Sequence, residues 1–136
     1  MFRIKHIDHV VLRVRSLEPM LRFYIDVLGC TLEKVQDDLG LYQLRAGASL
    51  IDLVPVEGKL GRMGGAPPGG EGRNLDHFCI SIEPFDGEAL RALLQSRGGQ
   101  PGPVEIRYGA EGTGPSVYLH DPEGNEVELK GPAQSA

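Results

Sequence analysis

The chain has 136 residues, enough for one compact domain or two very small fused halves. Hydrophobic residues make up 40% and charged residues 24%, a globular composition, and no apolar run is long enough to span a bilayer. The net charge of -5 and the scattered Lys and Arg residues argue against nucleic acid as a partner.

The N-terminal segment favours a cytoplasmic protein. It reads MFRIKHIDHV, with Lys5 and His6 where a signal peptide needs an apolar block. The two cysteines, Cys30 and Cys79, are too few for a disulfide framework and suit a reducing compartment. We therefore expect a cytoplasmic location and no membrane partner.

The first half reads as a strand, a helix and three strands. Residues 7–14 alternate in the manner of a strand, and Ser16 is a suitable N-cap for a helix that ends at Gly29. The three strands that follow are predicted at residues 31–36, 41–45 and 49–54.

The second half repeats this order after a Gly- and Pro-rich stretch, residues 55–74, that reads as a linker. A strand at residues 75–82 precedes a helix capped by Asp86 and stopped at Gly98. The remaining strands are predicted at residues 104–108, 116–120 and 126–130. We predict one domain over residues 1–136, with halves 4–56 and 74–131 and linker 57–73.

Two motifs show that the halves are an internal repeat. The sequence IDHV at residues 7–10 returns as LDHF at 75–78, and IDL at 51–53 returns as VEL at 127–129. The order βαβββ therefore occurs twice, which predicts an α+β fold. Because one half is too small to bury a stable core alone, we expect a shared core and a pseudo-twofold axis that sets equivalent residues facing each other.

The repeated residues have the chemistry of metal ligands. His9 and His77 lie on first strands, and Asp52 and Glu128 lie on last strands, at positions that alternate with apolar residues. Two imidazoles and a carboxylate suit divalent Zn, Ni, Mn, Co or Fe with open positions for a substrate. Asp52 has a shorter side chain, so it is either a direct fourth ligand or an acid that acts through water. The alternative is that both histidines are ordinary strand-start residues.

The same segments carry a family resemblance. With the two Asp-His motifs, FYIDVLG at residues 23–29 and YLHDPEGNEVEL at 118–129 resemble the vicinal oxygen chelate superfamily, the glyoxalase/bleomycin-resistance/extradiol-dioxygenase group. The resemblance implies paired βαβββ modules that form a cupped mixed sheet around a metal site, usually in a homodimer. It also implies a small-molecule substrate, a metal that acts as a Lewis acid and a carboxylate that moves protons.

Within the superfamily, the leading prediction is a metal-dependent glyoxalase-like lyase or isomerase, similar to lactoylglutathione lyase. Its substrate would be a small oxygenated or thiol-conjugated metabolite. Asp52 replaces the glutamate of glyoxalase I, and Val11 replaces the threonine of fosfomycin-modifying members. Residues 108–112 lack the histidine of extradiol dioxygenases. The alternatives are an Fe(II) dioxygenase and a non-catalytic, resistance-type binding module.

The resemblance assigns a role to each candidate residue. His9, His77 and Glu128 are expected to hold the metal, and Asp52 to be a fourth ligand or the proton-shuttling base. Tyr118 is expected to orient the substrate or donate a proton, with cross-strand packing as the alternative. Asp52, Glu128 and Tyr118 are thus the predicted catalytic residues. The Gly-rich loop at residues 60–74 is interpreted as a lid, a dimer arm or a disordered segment.

Overall fold

The structure is a computed structural model that describes residues 1–134. The chain divides between Asn74 and Leu75 into two compact units, which we name unit 1 and unit 2 in chain order. Within residues 1–134, no helix combines the length and the apolar character needed to cross a membrane. The prediction of a single domain over residues 1–136 stays a prediction.

Unit 1 contains a four-stranded mixed sheet. Its strands are β1 (His9–Val14), β2 (Thr31–Gln36), β3 (Leu41–Ala46) and β4 (Ser49–Pro55). Helix α1 (Leu17–Arg22) follows β1 and continues as a π-helical segment (Phe23–Val27), and α2 (Lys59–Arg62) follows β4. The strand order is β1-β4-β3-β2, with β1 and β4 parallel and the other pairs antiparallel.

Unit 2 contains a second sheet with the same connectivity. Its strands are β5 (His77–Ser81), β6 (Glu105–Gly109), β7 (Gly112–His120) and β8 (Glu126–Lys130), and α3 (Gly87–Ser96) follows β5. The order is β5-β8-β7-β6, again with a single parallel pair. Two mixed four-stranded sheets with few helices confirm the predicted α+β class and the repeated βαβββ order.

Alternation along the strands separates the core from the opposite face of each sheet. In β1, Leu12 and Val14 are fully buried, while His9 and Val11 are exposed on the other face. In β8, Val127 is fully buried at the centre of the strand. Burial thus follows the predicted period of two in β1, whereas in β8 the polar residues Glu128 and Lys130 are buried as well as Val127 and Leu129.

Helices α1 and α3 begin at the predicted N-cap residues, but only one of the two N-cap side chains makes a capping hydrogen bond. Asp86 is the N-cap of α3, and its Oδ1 accepts a hydrogen bond from the Ala89 amide at 3.1 Å. Ser16 is the N-cap of α1, but its side chain makes no capping bond. Gly29 follows the π-helical segment with a φ of 90°, a left-handed conformation that glycine adopts without steric cost.

Strand β7 begins four residues earlier than the sequence predicted. Thr113 and Pro115 pair with Tyr108 and Ile106 of β6. Pro115 lacks an amide hydrogen, but its carbonyl accepts from the Gly131 amide at 2.8 Å. A proline with a partner for its carbonyl is compatible with the strand, whereas the Gly- and Pro-rich sequence alone reads as a turn.

Arg13 fastens the segment after β4. Its Nε and Nη2 donate to the Gly61 carbonyl at 3.2 and 2.9 Å, Nη2 also donates to the Gly65 carbonyl at 2.7 Å, and Nη1 donates to the Ala66 carbonyl at 2.9 Å. The Asn74 side chain donates to the Arg13 carbonyl at 2.9 Å. The predicted linker is thus held by a side chain of β1 through its backbone carbonyls.

We expect Arg13→Lys to loosen this segment. Lysine keeps the charge but not the planar fork that reaches three carbonyls, so the variant should lose about 1–2 kcal/mol of stability. Thermolysin should cut residues 57–73 several-fold faster, as measured by mass spectrometry of timed digests. Arg22→Lys is the control, because the Arg22 side chain makes an exposed contact of 3.9 Å with Glu18 and such contacts contribute little to stability. Equal cutting of Arg13→Lys and the wild type would contradict the fastening role.

Candidate metal centre

In unit 2, His77 lies between two carboxylates. Its Nδ1 is 2.6 Å from Oδ1 of Asp76, and its Nε2 is 3.3 Å from Oε1 of Glu128. A carboxylate only accepts hydrogen bonds, so Nδ1 donates to Asp76 and holds its proton. In the neutral imidazole, the lone pair of Nε2 then faces the Glu128 oxygen. Two such acceptors need a positive group between them, either a proton or a metal ion.

Unit 1 repeats the arrangement around His9. Nδ1 of His9 donates to Oδ2 of Asp8 at 2.8 Å, and Nε2 lies 4.0 Å from Oδ2 of Asp52. An acid that immediately precedes the histidine thus orients the ring in both units, as second-shell carboxylates do for metal-binding histidines.

Strand register produces the matched geometry. His77 pairs with Glu126 across the parallel strands β5 and β8, which sets it diagonal to Glu128, two residues further along the same face. The same offset relates His9 to Asp52 across β1 and β4. The two units therefore share the relative positions of these histidine and acid side chains as well as the order βαβββ.

Hydrogen bonds from neighbouring strands hold both acids. Ser116 Oγ donates to Oε2 of Glu128 at 2.6 Å, so Oε1 is the oxygen that faces His77. Gln43 Nε2 donates to Oδ2 of Asp52 at 3.3 Å. Glu128 is 5% exposed and Asp52 is 3% exposed, and such buried carboxylates depend on these donors.

The pKa values of both site histidines and of Asp52 lie above their ordinary values. The hydrogen bond to Asp76 raises the pKa of His77, and the hydrogen bond to Asp8 raises that of His9. Burial raises the pKa of Asp52, against the opposing hydrogen bond from Gln43. A raised carboxyl pKa makes Asp52 a better proton acceptor than an ordinary aspartate.

Tyr118 lies beside Glu128 in the register of β7 and β8. Burial, reinforced by a hydrogen bond to Glu128, raises the pKa of Tyr118, while Arg107 opposes the shift. The Tyr118 ring also meets the His77 ring edge-on, with centroids 5.9 Å apart. The phenol therefore stays protonated near neutral pH and adjoins both a candidate ligand and a candidate acid.

The donor atoms can be tested against metal geometry. Bonds of about 2.0–2.2 Å place neighbouring donors on one ion about 2.8–3.5 Å apart. The 3.3 Å between His77 and Glu128 fits this range, and the 4.0 Å between His9 and Asp52 exceeds it. Among residues 1–134, no three His, Cys, Asp or Glu side chains lie close enough together to form a metal-binding group. Each unit supplies a pair of donors.

Several contributing residues were not predicted from the sequence. The four are the orienting acids and the donors that hold the ligand carboxylates: Asp8, Asp76, Gln43 and Ser116. Asp8 and Asp76 could have been found from the sequence, because an aspartate precedes the histidine in both repeats. Gln43 and Ser116 could not, because their contacts with Asp52 and Glu128 depend on the register between strands.

Two further side chains near the candidate ligands are His120 and Cys79. The His120 side chain is 60% exposed. Desolvation, together with the charge of Glu128, raises the pKa of the Cys79 thiol to about 11, so this thiol is unreactive near neutral pH.

In the metal-free protein, we expect both site histidines to titrate above the ordinary pKa of 6.5. The imidazolium–carboxylate contact then stabilises the fold below pH 6.5, and this contribution disappears as the pH rises through the folded-state pKa. NMR titration should show that Asp76→Asn lowers the pKa of His77 and leaves His9 unchanged. Asp8→Asn is the matched control and should lower the pKa of His9 while leaving the pKa of His77 unchanged. An unchanged His77 in Asp76→Asn would refute the orienting role.

Comparisons with known proteins show the family of this chain. The sequence profile described as the Glyoxalase/Bleomycin resistance protein/Dioxygenase superfamily matches residues 6–129. The chain belongs to this superfamily. The resemblance predicted from the Asp-His motifs is thereby confirmed.

Relatives within the superfamily differ in what their names describe. The virulence protein STM3117 of Salmonella typhimurium is 32% identical over 126 residues, which cover 93% of this chain and 83% of that protein. Its crystal structure has a TM-score of 0.79 at 25% identity and covers 97% of this chain and 100% of that chain. The catechol-2,3-dioxygenase of Bacillus subtilis is 29% identical over 91% of this chain, which spans only 40% of that protein.

A third comparison concerns the fold alone. TnmS3, an antibiotic binding protein from Streptomyces sp. CB03234, has a TM-score of 0.71 at 24% identity, covering 98% of this chain and 100% of that chain. The names of these similar proteins thus refer to virulence, to a catechol-2,3-dioxygenase and to antibiotic binding. Membership in the superfamily establishes the fold but does not identify the reaction, because one fold supports many reactions.

Proposed function

We propose that this protein is a metal-dependent, glyoxalase-like lyase or isomerase that acts on a small oxygenated or thiol-conjugated metabolite. The proposed ligands are His9, His77 and Glu128, with Asp52 as a fourth ligand or as the proton-shuttling base. The ion is divalent Zn, Ni, Mn, Co or Fe. The proposed assembly is a homodimer.

One observation carries the proposal: in each unit, an acid fixes the proton of a histidine on Nδ1 and leaves Nε2 directed at a buried carboxylate. The contacts are Asp76 to His77 and His77 to Glu128 in unit 2. An oriented imidazole beside an acid that is itself held by a hydrogen bond is the arrangement of a metal site with its second shell. Its occurrence in both repeats supports a shared role.

The surrounding residues suit proton movement. A bound divalent ion would supply Lewis-acid polarisation of substrate oxygens. Asp52, with its raised pKa, accepts a proton from the substrate carbon or oxygen and returns it. Glu128 keeps one oxygen on Ser116, so it holds its position during turnover. Tyr118 donates its hydroxyl to a substrate oxygen, because its raised pKa keeps the proton in place.

A second candidate function is ring cleavage by an Fe(II) dioxygenase. The 29% identity to the catechol-2,3-dioxygenase over 91% of this chain favours it. Residues 108–112 offer no histidine, which weighs against it. A binding module without catalysis is the outcome if no turnover accompanies ligand binding.

The proposal is tested by elemental analysis of protein purified without added metal, followed by titration of the chelated protein with Zn, Ni, Mn, Co and Fe(II). We expect one ion for each His9/His77 pair and proton release on binding, because the imidazoles must be neutral to bind. Activity is then screened with methylglyoxal–glutathione hemithioacetal and with small hydroxycarbonyl compounds.

The outcomes separate the candidates. Turnover with Zn, Ni or Mn and no oxygen uptake supports the lyase or isomerase. Oxygen uptake with Fe(II) and catechol supports the dioxygenase instead. Failure to bind any of the five ions would refute the proposed metal site, and sedimentation of the metal-bound form tells whether one chain or a dimer supplies it.

A further inference from the structure

Unit 2 contains a cavity beside His77. Its volume is about 430 Å³, within the range of sites that enclose a small organic molecule. Its wall belongs to unit 2 alone, and six polar or ionisable side chains line it: Asp76, His77, Glu105, Arg107, Tyr118 and Glu126. The site face of the candidate metal centre therefore opens into a space where the rest of a ligand can lie.

Negative charge predominates on this wall. Three carboxylates, Asp76, Glu105 and Glu126, stand against one guanidinium, Arg107, which leaves an excess of two negative charges when His77 is neutral. Charges of one sign along the wall of a cleft give the cleft a negative potential, even where the side chains remain accessible to solvent.

The one guanidinium on the wall is already engaged. Nη2 of Arg107 forms an ion pair with Oε2 of Glu105, and Nη1 donates to the Ile106 carbonyl at 2.9 Å. The Arg107 Cζ lies 5.7 Å from the centroid of the Tyr118 ring. An anionic ligand would have to displace Glu105 to reach Arg107, so the cation offers no open anion site.

The other two acids of the wall contact histidine side chains. Asp76 accepts from Nδ1 of His77, and Glu126 lies 3.4 Å from Nε2 of His120, a side chain that is 60% exposed. Contact with an exposed imidazole screens Glu126 only weakly. The carboxylate oxygens of Glu105 and Glu126 thus remain acceptors for hydroxyl or ammonium groups of a ligand.

We propose that this cavity holds the organic part of the substrate and selects neutral or cationic oxygenated molecules over anionic ones. The inference deepens the proposed function and rests on it for the role of the cavity as the substrate site. Hydroxyl-rich or amine-bearing molecules with vicinal oxygens match the wall. Glutathione conjugates, which carry carboxylates, do not.

The test uses three probes that share one frame and differ in charge: catechol, dopamine and 3,4-dihydroxybenzoate. Binding to the metal-free full chain is followed by amide shifts in NMR at low ionic strength. We expect dopamine to bind tightest and dihydroxybenzoate weakest, with about a tenfold difference between them, and salt to reduce the difference. Equal binding, tightest binding of the anion, or no shift at the cavity with millimolar probe would overturn the proposal.

Paired variants sharpen the charge argument. Glu105→Gln removes one negative charge and releases Arg107, so it should improve binding of dihydroxybenzoate about threefold to tenfold and weaken dopamine. Arg107→Gln should shift both probes in the opposite direction. Glu111→Gln is the control, since Glu111 is exposed in the β6–β7 turn away from the cavity wall. A control that shifts as much as Glu105→Gln would attribute the effect to net charge and overturn the site.

The two proposals fail separately. If the protein binds no metal but still binds dopamine more tightly than dihydroxybenzoate, the proposed metal chemistry is refuted and the selectivity of the cavity stands. If it binds metal but binds the three probes equally, the selectivity is refuted and the metal site stands.

Discussion

Replacing His77 with alanine should abolish stoichiometric binding of a divalent ion. The variant removes the donor that Asp76 orients and that lies 3.3 Å from Glu128. Loss of an orienting partner alone costs about 10–100-fold in metal affinity, so loss of the donor should exceed 100-fold. Isothermal titration of the chelated protein with Zn and Ni measures the effect directly.

Controls keep this result interpretable. His77 is partly exposed, so His77→Ala should stay folded, with a circular dichroism spectrum like that of the wild type. His120→Ala is the matched variant, because His120 lies in the same unit and its side chain is 60% exposed. It should bind metal as the wild type does. Undiminished stoichiometric binding by His77→Ala would mean that the ligand set is misassigned.

Asp121→Ala should be among the most destabilising single changes in unit 2, at about 2–4 kcal/mol. Asp121 is 4% exposed, and its carboxylate accepts from the Glu123 amide at 2.9 Å, the Asn125 amide at 2.9 Å and the Asn125 side chain at 2.8 Å. Removing it leaves buried donors without their acceptor. Urea unfolding followed by circular dichroism gives the midpoint shift.

The turn around Asp121 also determines the position of Glu128. It joins β7 to β8 and sets Tyr118 opposite Glu128. Asp121→Ala should therefore weaken metal binding as well as stability. Asp38→Ala, at an exposed position of the β2–β3 turn, is the control and should change stability by less than about 0.5 kcal/mol. A comparably small change for Asp121→Ala would show that the turn does not depend on its carboxylate.

Local patterns predicted most of the fold. Alternation in residues 9–14 and the repeated Asp-His motif were enough to give the chain order βαβββ within each half and the face on which His9 and His77 lie. These features depend on neighbours in the chain, so a single sequence contains them.

Contacts between distant residues were not predictable in the same way. Ser116 reaches Glu128 only because β7 and β8 pair in one register, and Arg13 reaches Gly61 across 48 positions of the sequence. Residues 112–115 read as a turn by composition, yet pairing with β6 extends β7 through them. Tertiary pairing overrides local preference at such places.

The contact between each site histidine and the aspartate before it has a consequence for assembly. Because Asp8 and His9, like Asp76 and His77, are adjacent in the chain, the tautomer of each ring is decided by a dipeptide rather than by the finished tertiary structure. A nascent chain therefore presents correctly protonated nitrogen donors as soon as these two strands form. An ion captured at that stage would accompany folding instead of awaiting its completion.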